Sequence, residues 1–375
     1  MDEIIKVIAF YLPQYHELEV NNKWWGKGFT EWVNVKRAKP LFDDHYQPRI
    51  PLNNNYYNLS DPKIMQWQAE TAKKYGVYGF CFYHYWFNGK PLMEEPLLNL
   101  LNSDLELQYC FCWANESWTN GWAGNDVSII LEQKYGSKEE WKEHFMFLLP
   151  FFRDKRYINE NNMPLIVIYR PYLYAHMKEM LEYWKTLAKD NGFAGLKIAS
   201  QRYEDPQKNK SILNYMDYNI EYQPDFKEKM TPLKSVKSKV HRYILKTFNK
   251  DVSLHKRINK AEPNKYDYDK IWQEIINSQP ISDRAIAGGF TDWDNTARHG
   301  NRGQVLTGVS PEKFGRYMEL QIKHIKKDYN NNYMFLFAWN EWGEGGYLEP
   351  DVKHGYGFLE ELKKALEVCN SRNEE

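Results

Sequence analysis

Two glutamates near the C-terminal end of the sequence have the spacing that most directly indicates chemistry. Glu341 and Glu344 stand in the segment WNEWGEGG (339–346), where glycines allow the backbone to turn sharply around a ligand. Hydrolysis of a glycosidic bond requires two carboxyl groups in different protonation states, and a carboxyl beside a carboxylate has a raised pKa. We therefore predict that Glu341 and Glu344 are catalytic, with a salt-bridged loop pair as the alternative.

Eight apolar runs predict the strands that would position these glutamates. The runs are Ile4–Tyr11, Val77–Tyr83, Leu107–Trp113, Leu165–Tyr169, Leu196–Ser200, Tyr218–Tyr222, Ala285–Phe290 and Met334–Trp339. The helical patterns between and after them include Pro62–Tyr75, Ser137–Phe152, Ala175–Asn191, Pro311–Asp328 and Gly357–Asn370. This alternation predicts an α/β protein with a parallel sheet, most simply a (β/α)8 TIM barrel, and an open doubly wound sheet is the alternative. We expect one catalytic domain over residues 1–375, with long insertions at about 12–60 and 224–270 on the C-terminal face of the barrel.

Polar and aromatic residues follow every predicted strand. Because the active sites of such barrels lie at the C-terminal ends of the strands, we predict that these residues bind substrate. The predicted set is Tyr11, Gln14, Tyr83, His84, Trp86, Trp113, Asn115, Glu116, Trp118, Arg170, Glu221, Asp292, Trp293, Arg298, Asn340 and Trp342. A direct catalytic role is the alternative for Glu116, and a buried, hydrogen-bonded imidazole is the alternative for His84.

Tryptophan is a second sign of a carbohydrate site, because sugars stack their C–H faces on aromatic rings while polar neighbours bind the hydroxyls. The chain has 14 Trp, 28 Tyr and 19 Phe residues. We expect the tryptophans near the strand ends to lie mostly around one cleft. They are Trp25, Trp32, Trp86, Trp113, Trp118, Trp293 and Trp342.

The overall charge and the cysteines restrict the partners and the location. Lys and Arg together number 50, as do Asp and Glu, which argues against a nucleic-acid-binding protein. No apolar run is long enough to span a membrane and no secretory signal is evident, so we expect a cytoplasmic protein with four reduced cysteines. The Lys-rich segment 227–260 is interpreted as a solvated insertion, or alternatively as a patch that contacts an anionic glycan or a membrane surface.

Neither a metal nor a cofactor is predicted. His16, His45 and His84 are not spaced as metal ligands. Asp292-Trp293-Asp294 has the Asp-x-Asp pattern that holds a metal and a nucleotide diphosphate in many glycosyltransferases, but no glycine-rich phosphate loop accompanies it. We therefore interpret Asp292 and Arg298 as contacts to substrate at the end of the barrel.

Five long motifs resemble the WbsX family, whose members are found in bacterial surface-polysaccharide gene clusters and are often labelled glycosyltransferases. The motifs are YLPQYH (11–16), WWGKGFTEW (24–32), GFCFYHYWF (79–87), WANESW (113–118) and WNEWGEG (339–345). The last one is also similar to the Asn-Glu-Trp-His-Glu-Gly motif of glycoside hydrolase family 99, the endo-α-mannosidase family, which has a (β/α)8 fold. This chain departs from that motif at Gly343, where the family has His.

The second resemblance implies roles for the two glutamates. Glu341 would deprotonate the sugar 2-hydroxyl, whose oxygen attacks C1 to give a 1,2-anhydro sugar, and Glu344 would be the general acid and then the base for water. We accordingly expect a raised pKa for Glu344 and an ionised Glu341 at neutral pH. The implied enzyme is a retaining glycosidase acting on O-antigen or capsule-type polysaccharide with α-mannose- or α-rhamnose-like linkages. The alternatives are a glycosyltransferase of lipopolysaccharide or capsule biosynthesis and a non-catalytic glycan-binding module.

Overall fold

A closed barrel of eight parallel strands forms the centre of the protein. The computed structural model describes residues 4–119, 128–202, 210–226 and 262–371. Its barrel strands are β1 (Lys6–Tyr11), β2 (Gly79–Phe87), β3 (Gln108–Trp113), β4 (Leu165–Ile168), β5 (Lys197–Ser200), β6 (Tyr218–Ile220), β7 (Ala285–Phe290) and β8 (Tyr333–Phe337). Ile8 of β1 lies opposite Gly79 of β2 and opposite Phe335 of β8, which closes the sheet on itself. The predicted (β/α)8 architecture and its eight strands are confirmed.

Each barrel strand is followed by a helix that packs on the outside of the sheet. These helices are Pro62–Lys74, Glu95–Leu101, Lys138–Phe152, Met177–Asp190, Lys210–Tyr215, Tyr268–Asn277, Pro311–Asp328 and Gly357–Ser371. Their start signals are local: the side chain of Asp61 accepts a hydrogen bond from the Lys63 amide, and that of Ser310 accepts one from the Lys313 amide. In both helices proline occupies the first turn, where its missing N–H costs nothing.

The insertions add short elements at the C-terminal end of the barrel. The segment after β1 contains the helices Glu19–Trp25 and Glu31–Arg37 and the 3-10 turn Leu52–Asn54. Further elements are the helix Thr296–His299, the 3-10 turns Pro171–Leu173, Gly300–Arg302 and Trp342–Glu344, and the short strands Lys90–Leu92, Trp118–Thr119, Ile129–Leu131, Asn264–Asp267, Gln304–Thr307, Asn340–Glu341 and Gly346–Tyr347. A weak helix predicted at Val240–Phe248 and the Lys-rich segment 227–260 lie outside the described residues.

Side chains alternate between the two faces of the barrel wall, and this alternation decides which residues can reach a ligand. Along β2, Tyr83 and Tyr85 line a cavity at the mouth of the barrel. His84 and Trp86 point the other way and contact His144 of the helix Lys138–Phe152.

Within the described residues, no helix is both long enough and apolar enough to cross a membrane.

Candidate active site

A cavity of about 440 Å³ opens at the C-terminal end of the barrel. It is bounded by residues from at least six of the eight strand-to-helix connections, which meet there because parallel strands all end at the same face. The lining includes Gln14, Trp25, Glu31, Tyr83, Tyr85, Glu116, Trp118, Tyr169, Arg202, Tyr222, Arg298, His299, Phe337, Glu341 and Glu344. Acidic, basic and aromatic side chains therefore share a single space of the size expected for a small-molecule or sugar site.

One arginine holds three carboxylates in this cavity, and we call these four residues the Arg298 cluster. The guanidinium of Arg298 places Nη2 2.8 Å from Glu341 Oε1 and Nη1 2.8 Å from Glu344 Oε1. The same Nη2 is 3.1 Å from Glu31 Oε2. Glu31 begins the helix Glu31–Arg37, Arg298 lies in the helix Thr296–His299, and both glutamates of the WNEWGEGG segment follow β8. The two predicted catalytic glutamates thus point at the same cation.

Charge is unbalanced in the Arg298 cluster, since one guanidinium faces three carboxyl groups. Burial raises the pKa of Glu341 to about 8; Arg298 opposes this shift, while Glu344 and Glu31 add to it. Burial and the two neighbouring carboxyl groups thus favour the protonated form of Glu341, and Arg298 favours its ionised form; the expectation that Glu341 is ionised at neutral pH stays a prediction.

Tyrosines form the wall of the cavity facing the Arg298 cluster. Tyr83 and Tyr169 approach edge to face with ring centroids 6.2 Å apart, and the Tyr83 hydroxyl accepts a hydrogen bond of 2.8 Å from Gln201 Nε2. Burial raises the pKa of Tyr169 to about 12, so its hydroxyl stays protonated and can donate to a ligand oxygen. Arg202 lies over this wall, with its guanidinium carbon 4.5 Å from the Tyr222 ring centroid. Flat rings with hydroxyl donors are suited to sugars.

A second group of buried charged and polar residues, the Arg49 cluster, joins the first insertion to the loop that follows β7. We define it as Arg49, His45, Gln47, Asp292 and Asp294. Arg49 Nη2 is 2.8 Å from Asp292 Oδ2, and Asp294 Oδ2 is 3.0 Å from His45 Nε2 and 2.7 Å from Gln47 Nε2. Burial raises the pKa of Asp294, but His45 and Arg49 outweigh it and lower the value to about 2. This cluster fixes residues 45–49 of the first insertion to the loop that carries Arg298.

Comparison with known proteins identifies the family. Residues 7–362 match the family described as Glycosyltransferase WbsX. The chain belongs to this family. The uncharacterized protein WxcX of Xanthomonas campestris pv. campestris is 31% identical over 368 residues, in strain B100 and in strain ATCC 33913. The alignment covers 96% of this chain and 49% of each relative, so the chain spans about half the length of the curated relatives it matches.

Solved structures show the same fold at low sequence identity. The GH99 endo-alpha-mannosidase from Bacteroides thetaiotaomicron, in complex with BIS-TRIS-propane, superposes with a TM-score of 0.58 and 14% identity, covering 98% of both chains. A glycoside hydrolase-like protein superposes with a TM-score of 0.57 and 12% identity, covering 97% of this chain and 94% of its own. The WbsX chain therefore has a glycoside-hydrolase-like barrel, related in fold to family 99.

The glycine that departs from the family 99 motif lies against the Arg298 cluster. A Cβ atom on Gly343 would be 2.5 Å from Glu31 Oε2 and 2.8 Å from Arg298 Nε. Both distances are shorter than van der Waals contact, so a side chain at this position would displace the ion pair. In this WbsX chain, the pair of Glu31 and Arg298 occupies the space that a side chain at position 343 would need.

Seven of the eighteen residues predicted as catalytic or substrate-binding line the cavity. They are Gln14, Tyr83, Glu116, Trp118, Arg298, Glu341 and Glu344. Arg170 reaches the rim, where its Nη1 is 2.7 Å from Glu116 Oε2. These eight residues carry most of the charge that a ligand would meet.

The other ten predicted residues are not brought to the cavity. They are Tyr11, His84, Trp86, Trp113, Asn115, Glu221, Asp292, Trp293, Asn340 and Trp342, and all are buried. Several bind the main chain. The side-chain amide of Asn340 accepts a 2.8 Å hydrogen bond from the Leu12 N–H and donates one of 3.0 Å to the Leu12 carbonyl. The side-chain amide of Asn115 likewise accepts one of 2.8 Å from the Arg170 N–H and donates one of 2.9 Å to the Arg170 carbonyl. Glu221 accepts hydrogen bonds from the Ile281 amide and the Tyr329 hydroxyl. A contact with substrate does not fit these positions.

The expectation for tryptophan is wrong, because five of the seven tryptophans are buried away from the cavity. Only Trp25 and Trp118 line it. Trp86 stacks on His144 with ring centroids 4.5 Å apart, and Trp342 donates a 2.6 Å hydrogen bond to Glu349. Tyrosine takes the place expected for tryptophan in the lining.

The lining residues outside the predicted set include Glu31, Tyr85, Tyr169, Arg202, Tyr222 and His299. Strand alternation would have found Tyr85, which lies two positions after Tyr83 on the same face of β2. Tyr169, Arg202 and Tyr222 directly follow or end predicted strands, so their positions were visible in the sequence although their orientations were not. Glu31 had no such signal, because it lies 267 positions from Arg298.

Proposed function

We propose that this chain hydrolyses glycosidic linkages of a bacterial surface polysaccharide, of the O-antigen or capsule type, with Glu341 and Glu344 as the catalytic pair. The observation that carries the proposal is that Arg298 holds both carboxyl groups in a cavity walled by tyrosines, at the face where barrel enzymes have their active sites. The surrounding polar and aromatic lining supplies the contacts that a sugar needs.

The proposed reaction proceeds with retention through a 1,2-anhydro sugar. Glu341 takes the proton of the 2-hydroxyl, the oxygen attacks C1, and the bond to the leaving oxygen breaks as Glu344 donates a proton to it. Glu344 then deprotonates the water that opens the anhydro ring, and the 2-oxygen recovers its proton from Glu341. This route requires a 2-hydroxyl trans to the leaving group, as in α-mannosides and α-rhamnosides.

Protonation of the pair sets the pH at which this chemistry works. Glu341 acts as a base only when ionised, and its pKa of about 8 means that the ionised fraction grows as the pH rises through that value. Arg298 favours the ionised form. We therefore propose that kcat/KM rises with pH as Glu341 ionises and falls again as Glu344 loses the proton that it must donate, and that Arg298 limits the rise in the pKa of Glu341.

A glycosyltransferase is the second candidate, favoured by the description of the family. The Asp292-x-Asp294 pattern that would serve a metal and a nucleotide diphosphate belongs to the Arg49 cluster, where both carboxylates are already paired. This supports hydrolysis over nucleotide-sugar transfer.

We extend the proposal to a cytoplasmic role in lipopolysaccharide or capsule biosynthesis, with no cofactor.

The test compares Glu341→Gln and Glu344→Gln on two kinds of α-mannoside or α-rhamnoside. Each variant should lose about 10²- to 10⁴-fold in kcat/KM on a glycan, the usual range for general acid–base catalysis. On a glycosyl fluoride, which needs no proton on the leaving group, Glu344→Gln should retain much more activity than Glu341→Gln. Glu274→Gln on the exposed side of the helix Tyr268–Asn277 is the matched control and should behave as wild type.

Three outcomes would contradict the proposal. Efficient turnover of a 2-deoxy substrate would eliminate the anhydro route and indicate a carboxylate nucleophile, for which Glu116 is the candidate in the cavity. Activity only with a nucleotide sugar and a divalent ion would establish the transferase. Tight glycan binding with no turnover by wild type would establish a binding module.

A further inference from the structure

Arg202 is a cation of the cavity that the proposed reaction does not use. It follows β5 and lies among the tyrosines, 4.5 Å from the Tyr222 ring centroid and 5.4 Å from that of Tyr169. Its Nε is buried and has no hydrogen-bond partner. A guanidinium packed over aromatic rings is held in one orientation, and here the Nε–H donor is left for another partner.

The carboxylates of the cavity are already paired with other arginines. Glu116 is 2.7 Å from Arg170, and Glu344 is 2.8 Å from Arg298. Across residues 4–119, 128–202, 210–226 and 262–371, no carboxylate forms an ion pair with Arg202. Burial of a cation without a paired anion is costly, so this position favours a ligand that brings a negative charge.

We propose that Arg202 binds an anionic substituent of the glycan, a carboxylate or a phosphate ester, and that the substrate is therefore an acidic polysaccharide. The inference rests on the proposed function, because it specifies the substrate of the same cavity. The planar fork of arginine matches the two oxygens of such a group, and bonds of this type are stronger than those between neutral partners. The wall of protonated tyrosines completes the subsite: their hydroxyls donate to oxygen and do not repel an anion.

The ion pairs distinguish this subsite from the catalytic pair, because Arg298 and not Arg202 is paired with the two glutamates. The Arg298 cluster already faces more negative than positive charge, so it disfavours an anion. Arg202 lies on the tyrosine wall, where the charge of Glu344 acts on it without a direct ion pair. The acidic group would then orient the sugar ring so that its 2-hydroxyl faces Glu341.

The experiment uses three matched ligands. They are an oligosaccharide of α-linked mannuronic acid, the same compound after reduction of its carboxyl groups to primary alcohols, and the reduced compound after phosphorylation of those alcohols. Dissociation constants are measured by calorimetry on Glu341→Gln, which blocks turnover and leaves Glu344 in place beside Arg202. Cleavage of the same ligands by wild type is measured in parallel, so that the result does not depend on any variant's folding.

The acidic ligands should bind about 10- to 100-fold more tightly than the neutral one, as expected for hydrogen bonds to charged groups. Adding Arg202→Gln should abolish this preference, and Arg202→Lys should retain only part of it. Arg153→Gln, at an exposed position outside the cavity, is the matched control and should keep the full preference. A preference for the uronate identifies a carboxylate as the group bound, and a preference for the phosphorylated ligand identifies a phosphate ester.

Equal affinity for the acidic and neutral ligands, no binding of either acidic ligand, or a preference that survives Arg202→Gln would overturn the inference. Its failure is distinguishable from failure of the proposed function. Cleavage of the neutral ligand with no acidic preference would leave the glycosidase standing without this subsite. Arg202-dependent binding of an acidic ligand without any cleavage would leave the subsite standing without the glycosidase.

Discussion

The Arg298 cluster and the Arg49 cluster are built from similar sequence patterns and have opposite properties. Each contains two acidic residues that flank a tryptophan, in Asp292-Trp293-Asp294 and in Glu341-Trp342-Gly343-Glu344, and each surrounds one arginine. In the Arg298 cluster, Arg298 and Glu344 keep 15% and 23% of their side-chain surface exposed. In the Arg49 cluster, the exposed fractions of Arg49 and Asp294 are 6% and 0%. Access to the cavity, and not residue type, separates them.

Burial raises the pKa of Asp292, Asp294 and Glu341 alike, and the number of donors decides whether this effect is outweighed. Asp294 receives hydrogen bonds from Gln47 and Thr296 and pairs with His45 and Arg49, and its pKa is lowered to about 2. Glu341 shares one guanidinium with two other carboxyl groups, and its pKa is raised to about 8. At Asp294 the donors outweigh burial, whereas at Glu341 a shared guanidinium does not.

Replacing the arginine of each cluster by methionine should separate their roles most strongly. Arg298→Met removes the charge that favours the ionised form of Glu341 and should lower kcat/KM on the order of 10³-fold. Because it also leaves three carboxyl groups without their cation, it should lower the free energy of unfolding as well, so the difference between the two variants is expected in activity. Arg49→Met leaves two buried carboxylates without their cation and should lower the free energy of unfolding by about 3–5 kcal/mol. Kinetics and thermal unfolding of both variants give the comparison, and equal effects on activity would show that both clusters are catalytic.

The two glycines of the last loop offer a smaller and more precise test. At Gly343 a Cβ would meet the ends of two flexible side chains, those of Glu31 and Arg298, so the fold can adapt while the cluster geometry changes. Gly343→Ala should therefore lower kcat/KM by roughly 10- to 100-fold, as expected for misplaced catalytic groups, with near-normal stability.

Gly345→Ala is the matched control. Gly345 has φ +69°, and a Cβ there would lie 2.9 Å from the backbone nitrogen of Asp294. The variant should lose about 1–3 kcal/mol of stability through backbone strain and contact with the Arg49 cluster. A larger loss of stability in Gly343→Ala than in Gly345→Ala would reverse this assignment.

The smallest effect is expected for Glu31→Gln. The negative charge of Glu31 contributes to the raised pKa of Glu341, so its removal should lower that pKa. If Glu341 is the base, as we propose, the rising limb of kcat/KM against pH should move to lower pH by less than about one unit. The pH profile of Glu19→Gln, an exposed glutamate of the preceding helix, should match wild type. A limb that moves to higher pH would show that Glu31 does not act through its charge.

The barrel, and the place of the two glutamates that we propose as catalytic, could be predicted from sequence because their signals are local. Each strand is a short apolar run, and Glu341 and Glu344 lie in one continuous segment after the last of them. Side-chain orientation was harder, since all residues of the run from Tyr83 to Phe87 look suitable for a sugar. Because side chains alternate along the strand, Tyr83 and Tyr85 face the cavity, whereas His84 and Trp86 face the surrounding helices.

The remaining features depend on contacts between distant segments. Nothing near Glu31 indicates that its carboxylate meets Arg298, and nothing in the Asp292-Trp293-Asp294 pattern shows that His45 and Arg49 cover it. The pKa of Glu341 reflects burial and the sum of three neighbouring charges, so it could not be assigned before those neighbours were known. Local patterns predict which elements form, and tertiary packing decides the protonation of the groups they carry.

The two hydrogen bonds between the Asn340 side chain and the Leu12 main chain connect the candidate active site to the closure of the barrel during folding. These residues are 328 positions apart, and their contact joins the loop after β8 to the loop after β1. Contacts over such separations form late, because the entropy of closing the loop must first be overcome. A chain in which β8 has not docked on β1 would lack both the Arg298 cluster and a fixed Leu12. We therefore expect the Arg298 cluster to form together with closure of the barrel.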